Sequence, residues 1–179
     1  MSLYYITGIS GSGKSTVLKE LNQRGYEAYD TDEAGPATAK WHNDTTGYVH
    51  PKSSVKKDDR TPEFLANHSW KVPREEVAKL AEQAGPKVIF LGGAIANEPE
   101  IRDIFSSIFA LTINDETLAH RLATRTNNDW GKSPHELELT LAANHMLHAQ
   151  YQEFGYVIIN ASQPIKAVVD EVLTHVHDN

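Results

Sequence analysis

GISGSGKST, residues 8–16, decides how the rest of the chain is read. Gly8, Gly13, Lys14 and Ser15 satisfy the pattern GxxxxGK[ST], which here follows the short apolar run 3–7 and precedes a helical period. Glycines at Gly8, Gly11 and Gly13 let consecutive backbone N–H groups converge on one concavity that side chains would block. A helix starting near Lys14 adds the positive end of its dipole. That context predicts a cradle for the phosphates of a nucleoside triphosphate, built from Gly8, Gly11, Ser12, Gly13, Lys14, Ser15 and Thr16. In such a cradle Lys14 reaches the β- and γ-phosphates and the Ser15 hydroxyl ligates Mg2+. The pattern is silent on what becomes of the nucleotide.

The remaining composition bounds the setting. A length of 179 residues with 40% hydrophobic content fits one domain, residues 1–179, able to bury a core of its own. Net charge is −7, so no broad basic field is available for a nucleic acid backbone or an anionic membrane, and neither is expected as a partner. Any anion must be gripped locally. Cysteine is absent, which excludes a disulfide framework and suits a cytoplasmic protein. MSLYYITG reads as a first strand, not a signal peptide, and no apolar run is long enough to span a bilayer. Monomer and homodimer are both left open.

Strand and helix patterns alternate along the chain. Buried strands are predicted at 3–7, 26–29, 87–93, 107–113 and 156–160. Between them, Val17, Leu18 and Leu21 share a helix face, and residues 72–85 carry proline at the start, acids in the first turn and a closing glycine. Asn114 is a candidate cap for the helix at 115–126, and SPHE at 133–136 reads as a capping box. Val168, Val169, Val172, Leu173 and Val176 form the apolar face of a last helix. Alternation predicts an α/β fold, a parallel sheet with helices on both faces. Residues 40–71 show no clean period; a length of that kind inside a compact domain is expected to be a binding insert.

Four stretches resemble the small-molecule kinase branch of the P-loop proteins: nucleoside monophosphate kinases, shikimate kinase and gluconate kinase. They are GISGSGKST, YDTDE at 29–33, RLATRT at 121–126 with NNDWGK behind it, and IINASQPIKAVVDEV at 158–172. The resemblance implies the P-loop NTPase fold, with a five-stranded parallel sheet in the order 2-3-1-4-5 and a small lid at 126–133. ATP and Mg2+ are the implied cofactors, and a small-molecule phosphoryl acceptor is the implied partner.

Site roles follow from position and from that resemblance. Asp30 and Asp32 sit at the carboxyl end of a predicted strand, where open α/β sheets place ligands. By analogy Asp30 joins Ser15 at the metal and Asp32 orients an acceptor hydroxyl and takes its proton, although either could instead cap a helix after Thr31. Arg121 and Arg125 lie four apart, on one face of a helix. Arg125 is the candidate for stabilising the transferring phosphoryl group, and Arg121 and Gln163 are candidates for the adenine end. Lys132 is a weaker candidate in the lid. Gly92 and Gly93 stand where many P-loop proteins carry an acid, and their N–H groups could face the acceptor. Arg60, with Lys56 and Lys57, could meet an acceptor's anionic group, while Trp41 and Trp70 could stack on a ring. The expected activity is phosphoryl transfer to a hydroxyl, as in a nucleoside, sugar acid or cyclitol. A nucleoside monophosphate acceptor, or a nucleotide-hydrolysing switch, are the alternatives.

Overall fold

A computed structural model describes residues 2–126 and 131–177. Five strands form one parallel sheet: β1 (Leu3–Gly8), β2 (Glu27–Asp30), β5 (Ile89–Gly92), β6 (Ser107–Thr112) and β7 (Val157–Asn160). Their spatial order is β2-β5-β1-β6-β7. Counted among themselves, these five run 2-3-1-4-5, the order expected from sequence.

Every residue of β1 is buried, because it lies at the centre with helices above and below. Alternate side chains serve the two faces. Tyr4 and Ile6 join Phe90 and Phe109 beneath α1 (Lys14–Gln23) and α7 (Ile165–His177), through Val17, Leu18, Leu21, Val168, Val169 and Val172. Leu3 and Tyr5 join Ile89 and Leu91 beneath α3 (Arg74–Ala84) and the short α4 (Glu98–Ile101). Full burial of each such aliphatic or phenyl side chain contributes about 1.5–3 kcal/mol. Two connecting helices begin as the sequence signals. Asn114 accepts from the Thr117 amide at the start of α5 (Asp115–Thr124), and Ser133 with Glu136 closes the capping box of α6 (Pro134–Glu153).

The insert at 40–71 departs from its formless reading. It contains β3 (Lys40–Asn43) and β4 (His68–Lys71), an antiparallel pair with α2 (Pro62–Asn67) leading into the second strand. Trp41 faces Trp70 across this pair, with ring centroids 5.2 Å apart. Asn97 pins the end of β4 from the side, donating to the Val72 carbonyl (2.8 Å) and accepting from its amide (3.2 Å). The Ala96 amide adds a bond to the Trp70 carbonyl (2.8 Å). The hairpin is thereby fastened to the segment that follows β5.

Gly93 marks the tightest point of that region. A Cβ there would lie 1.9 Å from Thr31 Oγ1, and Thr31 is fully buried. Gly93→Ala is expected to lose about 2 kcal/mol in chemical denaturation. Thr31→Ala in the Gly93→Ala background should recover most of that loss, because the displaced atom is the hydroxyl; full additivity of the two changes would contradict the packing explanation.

Candidate active site

The turn between β1 and α1 opens at the carboxyl end of the sheet. Gly8, Gly11 and Gly13 have φ of 154°, 93° and 103°, so the turn depends on residues without a Cβ. A Cβ at Gly8 would approach the Leu111 carbonyl to 2.8 Å, and one at Gly11 would approach Leu118 Cδ1 to 2.9 Å. Gly13 is the N-cap of α1 and no side chain caps that helix start. The Thr16 amide donates to the Gly13 carbonyl (3.0 Å), while Lys14 and Ser15, whose amides precede the first helical bond, line the cleft. This is an anion site made of main chain.

Lys14 completes it. Its Nζ donates to the carbonyls of Gly8 (2.7 Å) and Ile9 (3.1 Å), folding the side chain back over the turn. The stem borders the open cleft while the ammonium lies deep among loop carbonyls. Burial of that ammonium pulls its pKa from 10.5 down to about 8, and Asp32 and Asp30 only partly oppose the shift. An ammonium so placed is short of counter-charge.

The cleft has a volume of about 530 Å3 and brings together the phosphate loop, Asp30, Asp32, Arg121, Arg125 and Gln163. Ser15 Oγ donates to Asp30 Oδ2 (2.7 Å), and Asp30 Oδ1 accepts from the Asp32 amide (2.9 Å). Neither aspartate caps a helix, since the segment after Thr31 is a turn closed by a bond from the Ala39 amide to the Thr31 carbonyl (2.9 Å). A hydroxyl and a carboxylate beside a phosphate cradle suit a hard divalent cation such as Mg2+, which prefers oxygen donors and retains water. Among the described residues no group of three or more His, Cys, Asp or Glu could hold a metal, so Ser15 and Asp30 would need phosphate and water oxygens to complete its shell.

Asp32 is held from a direction that the sequence did not disclose. Trp70 Nε1 donates to Asp32 Oδ1 (2.9 Å), joining residues 38 apart. The indole thus reaches from the insert to the cleft as a hydrogen-bond donor. Arg60 does not approach the phosphate loop; its guanidinium carbon lies 5.7 Å from the Trp41 ring centroid.

On the opposite wall, Arg121 donates to the carbonyls of Ser12 (3.0 Å) and Ala161 (2.8 Å), tying the phosphate loop to the turn after β7. Arg125 departs from its expected place on the helix. The helix α5 ends at Thr124, and Arg125 is its extended C-cap, with Nη1 3.2 Å from Ser10 Oγ. Gln163 lines the cleft and donates to the Asn160 carbonyl (3.2 Å) and to Glu171 (3.0 Å).

Two further expectations are altered. The Gly93 amide, expected to face an acceptor, donates instead to the Ile6 carbonyl (3.1 Å). Gly92 lies within β5, in register with Ile6 and Asp30, where Leu18 and Ile6 leave no room for a Cβ. These glycines serve close packing. Residues 127–130 of the expected lid lie outside the described residues; Lys132 is exposed and is not among the residues that line the cleft.

Solved structures share this architecture. Shikimate kinase from Acinetobacter baumannii, in complex with shikimate, is 15% identical with a TM-score of 0.61, over 100% of this chain and 94% of that one. A gluconokinase from Sinorhizobium meliloti 1021 is 19% identical with a TM-score of 0.54, over 99% and 92% of the two chains. Deoxyadenosine kinase from M. mycoides, with bound dATP, is 13% identical with a TM-score of 0.52, over 98% and 99%. No curated protein matches significantly in sequence. The family model described as AAA domain matches residues 5–140, and that span includes the phosphate loop, both aspartates, Trp70 and both arginines. The chain belongs to this AAA domain family and has the fold of the P-loop small-molecule kinases.

Proposed function

We propose that the protein is an ATP-dependent phosphotransferase that moves the γ-phosphoryl group to a hydroxyl of a small molecule, such as a nucleoside, sugar acid or cyclitol. The observation that carries this reading is the linked set Ser15–Asp30–Asp32–Trp70, which gives the phosphate cradle two carboxylates with different surroundings. Asp30 is tied to Ser15, beside the cradle. Asp32 is exposed, accepts from the indole, and lies where a second substrate could meet it.

In this mechanism the triphosphate draws Lys14 from the Gly8 and Ile9 carbonyls, because charged phosphate oxygens are stronger acceptors. Ser15 and Asp30 would hold Mg2+, which would supply neutralisation of phosphate charge. Asp32 aligns the acceptor hydroxyl and receives its proton as that oxygen bonds the γ-phosphorus, while the bond from the γ-phosphorus to the bridging oxygen breaks and ADP leaves. Arg125, next to Ser10 of the loop, stabilises charge on the transferring group, and Arg121 and Gln163 line the nucleotide's other end. The insert forms the acceptor side. Shikimate, gluconate and deoxyadenosine, named for the structural relatives, all carry hydroxyl groups, which supports an alcohol as acceptor.

Incubation with γ-labelled ATP and a panel of sugar acids, cyclitols, nucleosides and nucleoside monophosphates is expected to give a labelled alcohol phosphate; labelled inorganic phosphate alone would indicate a switch. Asp32→Asn should lower kcat by about 10²–10⁴ with ATP affinity unchanged. Trp70→Phe keeps the ring and removes the donor, and kcat should fall by roughly tenfold through misplacement of Asp32.

Lys14 gives a pH signature of known sign. Its charge is lost as pH rises through about 8, so triphosphate affinity should fall there, and Lys14→Met should abolish the step. The unfolded chain keeps its lysine proton up to about 10.5, so it binds more protons than the empty folded protein between these values. The contribution of Lys14 to the stability of the empty protein therefore rises with pH across the same window. Calorimetric binding and thermal denaturation from pH 7 to 10 check both directions.

A further inference from the structure

A second cavity of about 530 Å3 lies behind the loop that carries Asp32, and it shares no lining residue with the reaction cleft. We propose that it binds a small dianion through Lys52 and Lys79. One wall is the segment 34–38, from the turn that begins at Thr31 and closes at Ala39; the opposite wall is α3. Lys40, Lys52 and Lys79 line it, with Glu76 as its sole acid.

The charges do not balance. Glu76 is already bonded to Lys40 (3.0 Å). Lys52 is the anomaly, since its ammonium is shielded from solvent and has no hydrogen-bond partner. Lys79 is exposed and makes no ion pair among the described residues. A shielded ammonium with no acceptor from the chain is unfavourable, and an anion in the cavity would supply one.

The neighbouring hairpin shares Lys40 with this cavity. Lys40 pairs with Lys71 and His42 with Ser69 across β3 and β4, so these four share one face, opposite the aromatic face of Trp41 and Trp70. On it, His42 Nε2 is also buried without a partner. Burial, Lys71 and Lys40 hold this imidazole below its ordinary pKa, and the two acids bonded to that face, Asp44 and Glu76, are engaged by Lys71 (2.8 Å) and Lys40 (3.0 Å). The hairpin thus has two unlike faces, an aromatic one that reaches Asp32 through Trp70 and a polar one whose Lys40 lines the second cavity.

A molecule bearing a phosphate group or two carboxylates matches two unneutralised cations at this cavity. Because the 34–38 wall and Asp32 belong to one turn, its occupant would brace the loop on which the proposed base sits.

The test titrates inorganic phosphate and, in parallel, succinate into five full-length proteins: unaltered, Lys14→Ala, Lys52→Met, and Lys14→Ala combined with Lys52→Met or with Lys79→Met. Lys14→Ala removes the ammonium from the reaction cleft, so the part of the remaining anion binding that is lost on adding Lys52→Met reports the second cavity. Lys52→Met is expected to weaken that residual binding at least tenfold, and Lys79→Met, which alters only an exposed side chain, should weaken it in the same sense. Whichever anion binds identifies the head group. Absence of anion binding to Lys14→Ala at millimolar concentration overturns the proposal, as does residual binding unchanged by Lys52→Met in a protein with an unaltered circular dichroism spectrum. A failure of the kinase reading would appear separately, as nucleotide binding that Lys14→Ala leaves intact.

Discussion

The ammonium of Lys14, closed on the carbonyls of Gly8 and Ile9, is the contact around which this site is built. It satisfies carbonyls that a turn of three positive-φ glycines would otherwise present to the cleft. It also leaves a charge poorly compensated, at the start of a helix whose first amides are uncapped. A main-chain concavity and a buried cation of this kind are complementary to a polyanion and to little else. The turn can hold this shape because both its flanks are fixed. β1 is buried along its full length at the centre of the sheet, and α1 is anchored beneath by Val17, Leu18 and Leu21.

From that contact the site extends outward through bonds between distant parts of the chain. Ser15 reaches Asp30, Asp30 fixes the Asp32 amide, and Trp70 fixes the Asp32 carboxylate. On the other wall Arg121 joins the phosphate loop to the turn after β7. Trp70 in turn is held by β4, whose end is clamped by Asn97 and whose backbone accepts from Ala96. Displacement of the insert therefore moves the carboxylate, which connects acceptor-side geometry to the proposed chemistry.

The strands were legible because burial on both sides of a parallel sheet leaves continuous apolar runs, as in LYYIT at 3–7 and VIFL at 88–91, whereas their order came from the resemblance to P-loop kinases, since such runs mark strands without ordering them. Caps at Asn114 and Ser133 were legible because they act within a single turn. The hairpin was not. KWHN and HSWK are short, half-buried on every residue and without alternation, so only their mutual pairing defines them. The same limit hid the Trp70–Asp32 bond, which spans 38 residues. Gly93 shows the converse error: a glycine beside a cleft invites a ligand-facing amide, yet its hydrogen is taken by Ile6 and its missing side chain by Thr31. Arg125 was assigned a helical neighbour of Arg121 by spacing, whereas the helix ends one residue earlier and the chain itself turns it toward Ser10.

A crystal structure with Mg2+ and a non-hydrolysable ATP analogue tests the central claim most directly. The account predicts that Lys14 Nζ leaves the Gly8 and Ile9 carbonyls for phosphate oxygens, while the direct Ser15–Asp30 hydrogen bond opens around the cation. Nucleotide bound elsewhere, with Lys14 still closed on its own loop, would contradict it.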